Sequence, residues 1–257
     1  MWRLLHNGGN DPVMNLAVEE ALVRSRCAGL CTDTFRLWRN APSVVLGCHD
    51  DFYSEVDLEA CERLRLSLVR RPSGGGAVYH DLGTVNFSLI AAEDTLGEAG
   101  DVLGQFRLLS RIVLRGLKLL GIRALFREPN GVFVEGKKVS GMAQYRFYDT
   151  VLLHGSILVD SDLEALSAAL LRKKFKVENL SVVHQRPLTV EQVEEALVGG
   201  FEMEFSAEWK MEPLSASEKD LSQELVDLKY GSSLWNLHGE RPWAGWCAAS
   251  ACPERNP

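Results

Sequence analysis

The chain is poor in the features that would settle a function class at sight. No uninterrupted apolar run approaches the length of about 18 residues that a membrane-spanning helix needs. The N-terminus, Met1-Trp2-Arg3-Leu4-Leu5-His6, turns polar too soon for a secretory leader. There is no excess of positive charge: 28 basic residues face 35 acidic ones, for a net charge of −7. That balance offers no electrostatic footprint for a nucleic acid. Internal repeats and low-complexity segments are absent. Neither G-x-x-x-x-G-K-[ST] nor G-x-G-x-x-G occurs, so the usual phosphate and dinucleotide loops drop out. The six cysteines, Cys27, Cys31, Cys48, Cys61, Cys247 and Cys252, form neither a disulfide framework nor a zinc-like spacing. They read as reduced, structural thiols, and the default location is the cytoplasm, away from membranes.

What remains is an ordinary globular composition of 257 residues, 46% hydrophobic and 25% charged. Strand-like and helix-like segments alternate. Asp11-Pro12 starts a helix over 14–25. Strands are expected at 34–39 and 43–47, joined by a tight Asn40-Ala41-Pro42 turn, then at 66–71 and 84–90. Asp57 can cap a short helix whose inner face holds Leu58, Cys61 and Leu64, which makes Cys61 a core residue. The apolar spacing Phe106, Leu109, Val113, Leu117, Leu120 predicts a long amphipathic helix over 104–120, stopped by Gly121. Strands at 122–127, 132–135, 138–145 and 150–159 follow, with a hairpin at Gly136-Lys137. The remainder is helical: 163–171, a helix capped by Thr189 and Gln192, and a last one over 217–230. This order predicts an α/β (α+β) fold with a mixed sheet flanked by helices. The segment from 231 to 257 is expected to fray at its end.

Two stretches carry chemistry. In Arg70-Arg71-Pro72-Ser73-Gly74-Gly75-Gly76-Ala77-Val78-Tyr79-His80-Asp81, three glycines between strands would let backbone N–H groups approach an anion or an acyl chain, with arginine as a fixed cation. A tight turn beside a solvated arginine pair is an equal reading of the same residues. In Gly136-Lys137-Lys138-Val139-Ser140-Gly141-Met142-Ala143, a lysine at the root of a hairpin could stabilise charge on a phosphate or carboxylate. Lys137 reads as a solvated turn residue, and the alternation leaves the direction of Lys138 open.

Four blocks together resemble the lipoate–protein ligase family, within the biotin/lipoyl ligase and octanoyltransferase superfamily. They are Met14-Asn15-Leu16-Ala17-Val18-Glu19-Glu20, the 70–81 block, the 136–143 block and His154-Gly155-Ser156-Ile157-Leu158. The resemblance spans about residues 1–237 and implies one catalytic domain like that of biotin ligases and class II synthetases. The 20 residues from His238 onward are too few for the accessory domain that many such ligases carry, so a separate accessory polypeptide is one expectation.

The resemblance implies two-step chemistry: a lipoate or octanoate carboxylate attacks ATP, accompanied by Mg2+, and the acyl-adenylate then acylates a lysine of an acceptor domain (an E2 subunit or H protein). By position, Lys138 would be the catalytic cation. Arg71, Ser73, Gly74, Gly75, Gly76, Tyr79, His80, Asn130, Ser140, Gly141, Ala143 and His154 would contact substrate or adenylate. Leu16 and Glu20 would border the acyl tunnel. No residue is expected to be a metal ligand of the protein itself. The chain departs from the family pattern at Gly131, where an aspartate follows the asparagine, and around 173–185, where Val177-Glu178-Asn179-Leu180 is the nearest echo of the family segment.

Two rivals remain within reach of the same motifs. An octanoyl or lipoyl transferase working through a thioester needs an activated cysteine. The two positions where such enzymes place it hold Val151 and Leu125 here, and Cys48 comes nearest to the expected pocket wall. A non-catalytic lipoyl-binding paralogue is the other rival.

Overall fold

A computed structural model describes residues 1–6, 9–172, 174–184, 186–206 and 208–240. The elements in chain order are β1 (Trp2–His6), α1 (Pro12–Cys27), β2 (Thr34–Trp38), β3 (Ser43–Leu46), α2 (Phe52–Glu55), α3 (Leu58–Arg63), β4 (Ser67–Arg70), β5 (Val78–His80) and β6 (Thr84–Ala92). The long helix α4 (Val102–Leu119) leads to β7 (Leu125–Arg127), β8 (Gly131–Val134), β9 (Lys137–Phe147) and β10 (Thr150–Leu158). The chain closes with α5 (Leu163–Ala169), α6 (Leu180–Val183), α7 (Val190–Phe205), β11 (Trp209–Met211), α8 (Ala216–Leu225) and α9 (Ser233–His238).

Eight strands form one mixed sheet in the order β11-β1-β2-β6-β10-β9-β8-β7, and β4-β3-β5 form a second, smaller sheet. The expected mixed sheet flanked by helices is present. Alternation along the central strands divides the large sheet into two unlike faces. On one face Phe35, Leu37, Phe87, Leu89 and Leu153 pack with Leu109, Val113 and Leu117 of α4 and with Val193, Leu197 and Phe201 of α7. The other face carries Arg36, Trp38, Asn86, Ser88 and His154, all buried. Buried polar groups need partners or a ligand, so this face marks where function sits. It is covered by α1 and by the small sheet, through Leu16, Trp38, Val45 and Val69.

Asp11, Asp57 and the Thr189–Gln192 pair start their helices as read from sequence, and Asp101 and Asp162 are caps the sequence reading did not name. Asp11, Asp57, Asp101 and Asp162 each accept a backbone N–H at a helix start, and Thr189 with Gln192 forms a complete capping box. Cys61 lies in the core, 1% exposed.

Three expectations are corrected. The strands around Asn40-Ala41-Pro42 are not partners: β2 lies between β1 and β6, whereas β3 belongs to the small sheet. The connection spends its hydrogen bonds elsewhere, with Ala41 N–H donating to Asn10 O and Asn15 Nδ2 donating to Arg39 O and Asn40 Oδ1. The last helix ends as α8 and continues as a single π turn, Val226–Tyr230. Finally, Cys31, Cys48 and Cys61 are free, but Cys27 is disulfide-bonded rather than reduced. Cys247, Cys252 and the part of the expected tail from 241 onward lie outside the described residues. Among the described residues no helix is long and apolar enough to cross a membrane.

Candidate active site

The glycine loop is shaped by two consecutive arginines at the end of β4, and neither is solvated. Arg70 is 2% exposed and donates to Gly47 O, Asp50 O, Trp235 O and Leu237 O at 2.8–3.0 Å. Arg71 donates through Nη2 to the carbonyls of Gly74, Gly75 and Gly76 at 2.8, 2.8 and 2.9 Å, through Nη1 to Val45 O, and through Nε to Ser73 Oγ. The Arg71 guanidinium therefore curls the loop around itself. Burial lowers its pKa to about 10, which still leaves it cationic at neutral pH. The loop also crosses the end of β3 at contact distance. A Cβ on Gly47 would stand 1.8 Å from Gly75 O, so only glycine fits there.

Behind the loop runs a buried relay. Ser73 Oγ lies 2.7 Å from His154 Nε2, and His154 Nδ1 faces the Glu19 carboxylate at 3.0 and 3.1 Å. Ser88 Oγ donates to Glu19 at 2.6 Å and accepts from Trp38 Nε1 at 2.8 Å. Burial alone would raise the Glu19 pKa, but His154, with Arg36 and Ser88 behind it, holds the carboxyl below its usual range. A carboxylate at Nδ1 fixes the ring so that Nε2 addresses Ser73. His80 is buried beside Asn40, with Nδ1 3.3 Å from Nδ2; burial and then the cationic Arg71 lower its pKa to about 3, so it is neutral.

The lysine hairpin closes the opposite side. Glu135 and Gly136 take positive φ at the turn. Lys138 N–H donates to Lys176 O and its carbonyl accepts from Glu178 N–H, so the segment 174–178 is tied along the start of β9. The Lys138 ammonium stands 5.2 Å from the Phe175 ring centroid, and Phe175 meets Phe133 edge-on at 5.5 Å. Burial, and then Lys174, push the Lys138 pKa down. Lys137, expected as solvated, pairs with Glu178 at 2.7 Å. Gly131 also has a steric account: a Cβ there would lie 2.7 Å from the Phe133 ring, which fills the space a longer residue would need.

Loop, relay and hairpin enclose a cleft of about 1110 Å³. Of the residues expected at the site, Leu16, Arg71, Gly75, Gly76, Tyr79, His80, Asn130, Lys138, Ser140, Gly141, Ala143 and His154 line it. Ser73 stands behind His154, and Gly74 faces a smaller adjoining recess with Asn130 and Ala143. Asn130 is held by a 2.6 Å bond from Nδ2 to Met142 O.

Glu20 is not in the cleft. Its carboxylate binds Arg24, Lys229 Nζ and Tyr230 Oη at 2.5–2.6 Å, where α1 meets the turn that follows α8. Its neighbour Glu19 reaches the site instead. Sequence periodicity did not separate the two, because both follow Leu16 at helical spacing. The chain reading also missed Asn86, Trp38, Phe133 and Phe175. Asn86 is 1% exposed, lines the cleft and has no hydrogen-bond partner on either amide atom; the Ser140 hydroxyl is likewise unpartnered.

Comparison with known proteins gives the family. Residues 11–202 match the model of the lipoyl protein ligase A/B catalytic domain. The chain is 34% identical to octanoyltransferase LipM of Kyrpidia tusciae over 91% of this chain and 98% of that one. It is 32% identical to lipoate-protein ligase A subunit 1 of Thermoplasma acidophilum, over 91% and 95% of the respective chains. A solved structure of the bi-partite lipoate protein ligase of T. acidophilum superposes with a TM-score of 0.83 at 32% identity, covering 95% of this chain and 98% of that one. On the strength of these matches, the chain belongs to the lipoyl protein ligase A/B catalytic-domain family, whose members are enzymes of lipoate ligation or acyl transfer.

Proposed function

We propose that the chain is an ATP-dependent lipoate–protein ligase that activates a lipoyl-type acid as its acyl-adenylate and transfers the acyl group to a lysine of an acceptor domain. The observation that carries this reading is the state of the thiols. Among the described residues no cysteine lines the cleft. Burial pushes Cys31 up to about 12, Cys61 up to about 11 and Cys48 upward as well, the reverse of what a thiolate nucleophile requires. Val151 is fully buried in the α4-side core, and Leu125 is 68% exposed on the edge strand β7.

The chemistry that remains is alignment and charge neutralisation. In the first step a carboxylate oxygen attacks the α-phosphorus of ATP and pyrophosphate leaves. In the second, the acceptor amine attacks the acyl carbonyl, loses a proton, and AMP leaves. Lys138 would sit against the negative charge that develops on the carboxylate and phosphate. The glycine loop, held by Arg71, and the Asn130 amide border the same space, and the cations Arg127, Lys174 and Lys176 line its mouth. This donor set suits a polyphosphate. Magnesium is expected to enter with the nucleotide. Glu55, Glu128 and Glu178 in the cleft are each paired with a cation. Among the described residues no three acidic, His or Cys side chains are grouped as metal ligands, and no step is assigned to a protein-held ion.

A related protein has been solved as lipoate-protein ligase A bound with ATP, and the Thermoplasma ligase was solved as a bi-partite enzyme with its E2 lipoyl domain. We extend both to this chain: the acceptor is a lipoyl domain, and a separate accessory polypeptide completes the enzyme. The relatives named octanoyltransferase favour the second reading, acyl transfer without ATP.

Mass spectrometry of an acceptor domain decides between them. With lipoate and ATP the acceptor lysine gains the lipoyl mass, and Lys138→Ala abolishes this while the protein stays folded. Acylation that needs an acyl carrier thioester and ignores ATP overturns the ligase.

A further inference from the structure

We propose that Asn86 selects the acyl chain by its far end, favouring a chain that terminates in a sulfur ring over a plain alkyl chain. The inference rests on the acyl-pocket reading of the cleft given above.

The sheet register places a single row of residues across the floor of the cleft. Trp38 pairs with Asn86, Asn86 with Ser156, Ser156 with Gly141, and Gly141 with Gly131. Lys138 folds back over the Gly131–Gly141 end of this row, and its Nζ would stand 3.2 Å from a Cβ on Gly141. Asn86 is two strands further in, and at about 4.8 Å per strand it lies about 10 Å from Gly141. That is the span of an extended eight-carbon acid. With its carboxylate at Lys138, such a chain ends at Asn86 and Trp38. Leu16, Trp38 and Val45 give that end apolar wall, beside His80, whose ring meets Trp38 edge-on at 6.3 Å.

In that setting the Asn86 amide is conspicuous. It is 1% exposed, and neither Nδ2 nor Oδ1 has a hydrogen-bond partner. Its neighbours on the same face are satisfied: Trp38 donates to Ser88, and Ser88 to Glu19. An unpartnered buried amide is costly unless a ligand serves it. A saturated alkyl end would displace water from the amide and return nothing. The sulfurs of a dithiolane ring are polarisable and accept weak hydrogen bonds, as thioether sulfur does. The ring therefore leaves the Nδ2 donor better served than a methyl end can.

The test is calorimetric titration of the full chain with lipoate and, separately, with octanoate, without ATP. Wild type is expected to bind lipoate about tenfold more tightly, in line with what one polar group contributes to discrimination. Asn86→Leu should abolish or invert the ratio by tightening octanoate binding. Asn86→Ala, which places no bulk in the pocket, should bring the ratio close to unity, and its unfolding midpoint verifies the fold. Equal binding of both acids by wild type, or an unchanged ratio in both variants, overturns the role of Asn86 and leaves the ligase reading standing. Binding of neither acid overturns the pocket reading and the inference with it. Selective binding with no ATP-dependent acylation refutes the ligase while the selector role of Asn86 holds.

Discussion

Replacing Glu20 by glutamine separates two roles for one carboxylate. The family resemblance places it on the acyl tunnel. The structure seats it, 1% exposed, among Arg24, Lys229 and Tyr230, where it ties α1 to the π turn after α8. Burial would raise its pKa, but Lys229 and Arg24 overcome that and hold it at about 2 against an ordinary 4.5. At about 1.36 kcal/mol for each tenfold change in proton affinity, the charged form contributes about 3 kcal/mol to folding. The folded pKa is the lower one, so the contribution is complete above pH 4.5 and is lost as pH falls through 4.5 toward 2. Glu20→Gln should therefore unfold in urea with about 3 kcal/mol less stability at pH 7. The gap between wild type and variant should narrow to about 1 kcal/mol at pH 3. Calorimetric affinity for lipoate should stay within about twofold, because the side chain is not among those lining the cleft and its oxygens are engaged by Arg24, Lys229 and Tyr230. A gap that does not narrow in acid refutes the electrostatic argument. A large loss of lipoate affinity with stability intact would put Glu20 back on the tunnel.

Three further outcomes are expected. Gly47→Ala drives a methyl group into the Gly75 carbonyl and should cost about 1–3 kcal/mol in thermal unfolding, with loss of adenylate formation exceeding what that destabilisation explains. Glu19→Gln leaves the buried His154 and Arg36 without their anion and should cost about 3 kcal/mol, lowering the unfolding midpoint by about 6–12 °C in a differential scan. Combined Cys31→Ala, Cys48→Ala and Cys61→Ala substitution should leave ATP-dependent acylation of the acceptor within about threefold of wild type in a mass-spectrometric time course.

The legible parts of this protein are those where local chemistry decides. The α4 stripe, the capping box at Thr189, the Asp57 cap and the hairpin at Gly136 lie where the spacing puts them. The strands β1, β5 and β11 escaped notice because each is short and earns its place by pairing with distant partners: β1 lies parallel to β2 and β11, and β5 antiparallel to β3. The motif blocks identified the cleft, yet they did not show that Arg71 spends its hydrogen bonds on its own loop. Nor did they show that Glu19 rather than Glu20 meets His154. The second depends on helix rotation and on a contact between residues 135 apart in sequence, and the first on how the glycine loop curls back on Arg71, neither of which a residue pattern encodes.

The adjacency of Arg70 and Arg71 has a mechanical meaning. Arg70 grips the backbone of α9 through Trp235 and Leu237, and Arg71 grips the glycine carbonyls. One peptide unit separates the two grips, and it ends a strand paired with β3. Strain applied at α9 therefore reaches the glycine loop through a stiff link a single residue long, with no flexible connection to absorb it. Whatever pulls on or settles against α9 works the loop as a lever works its short arm.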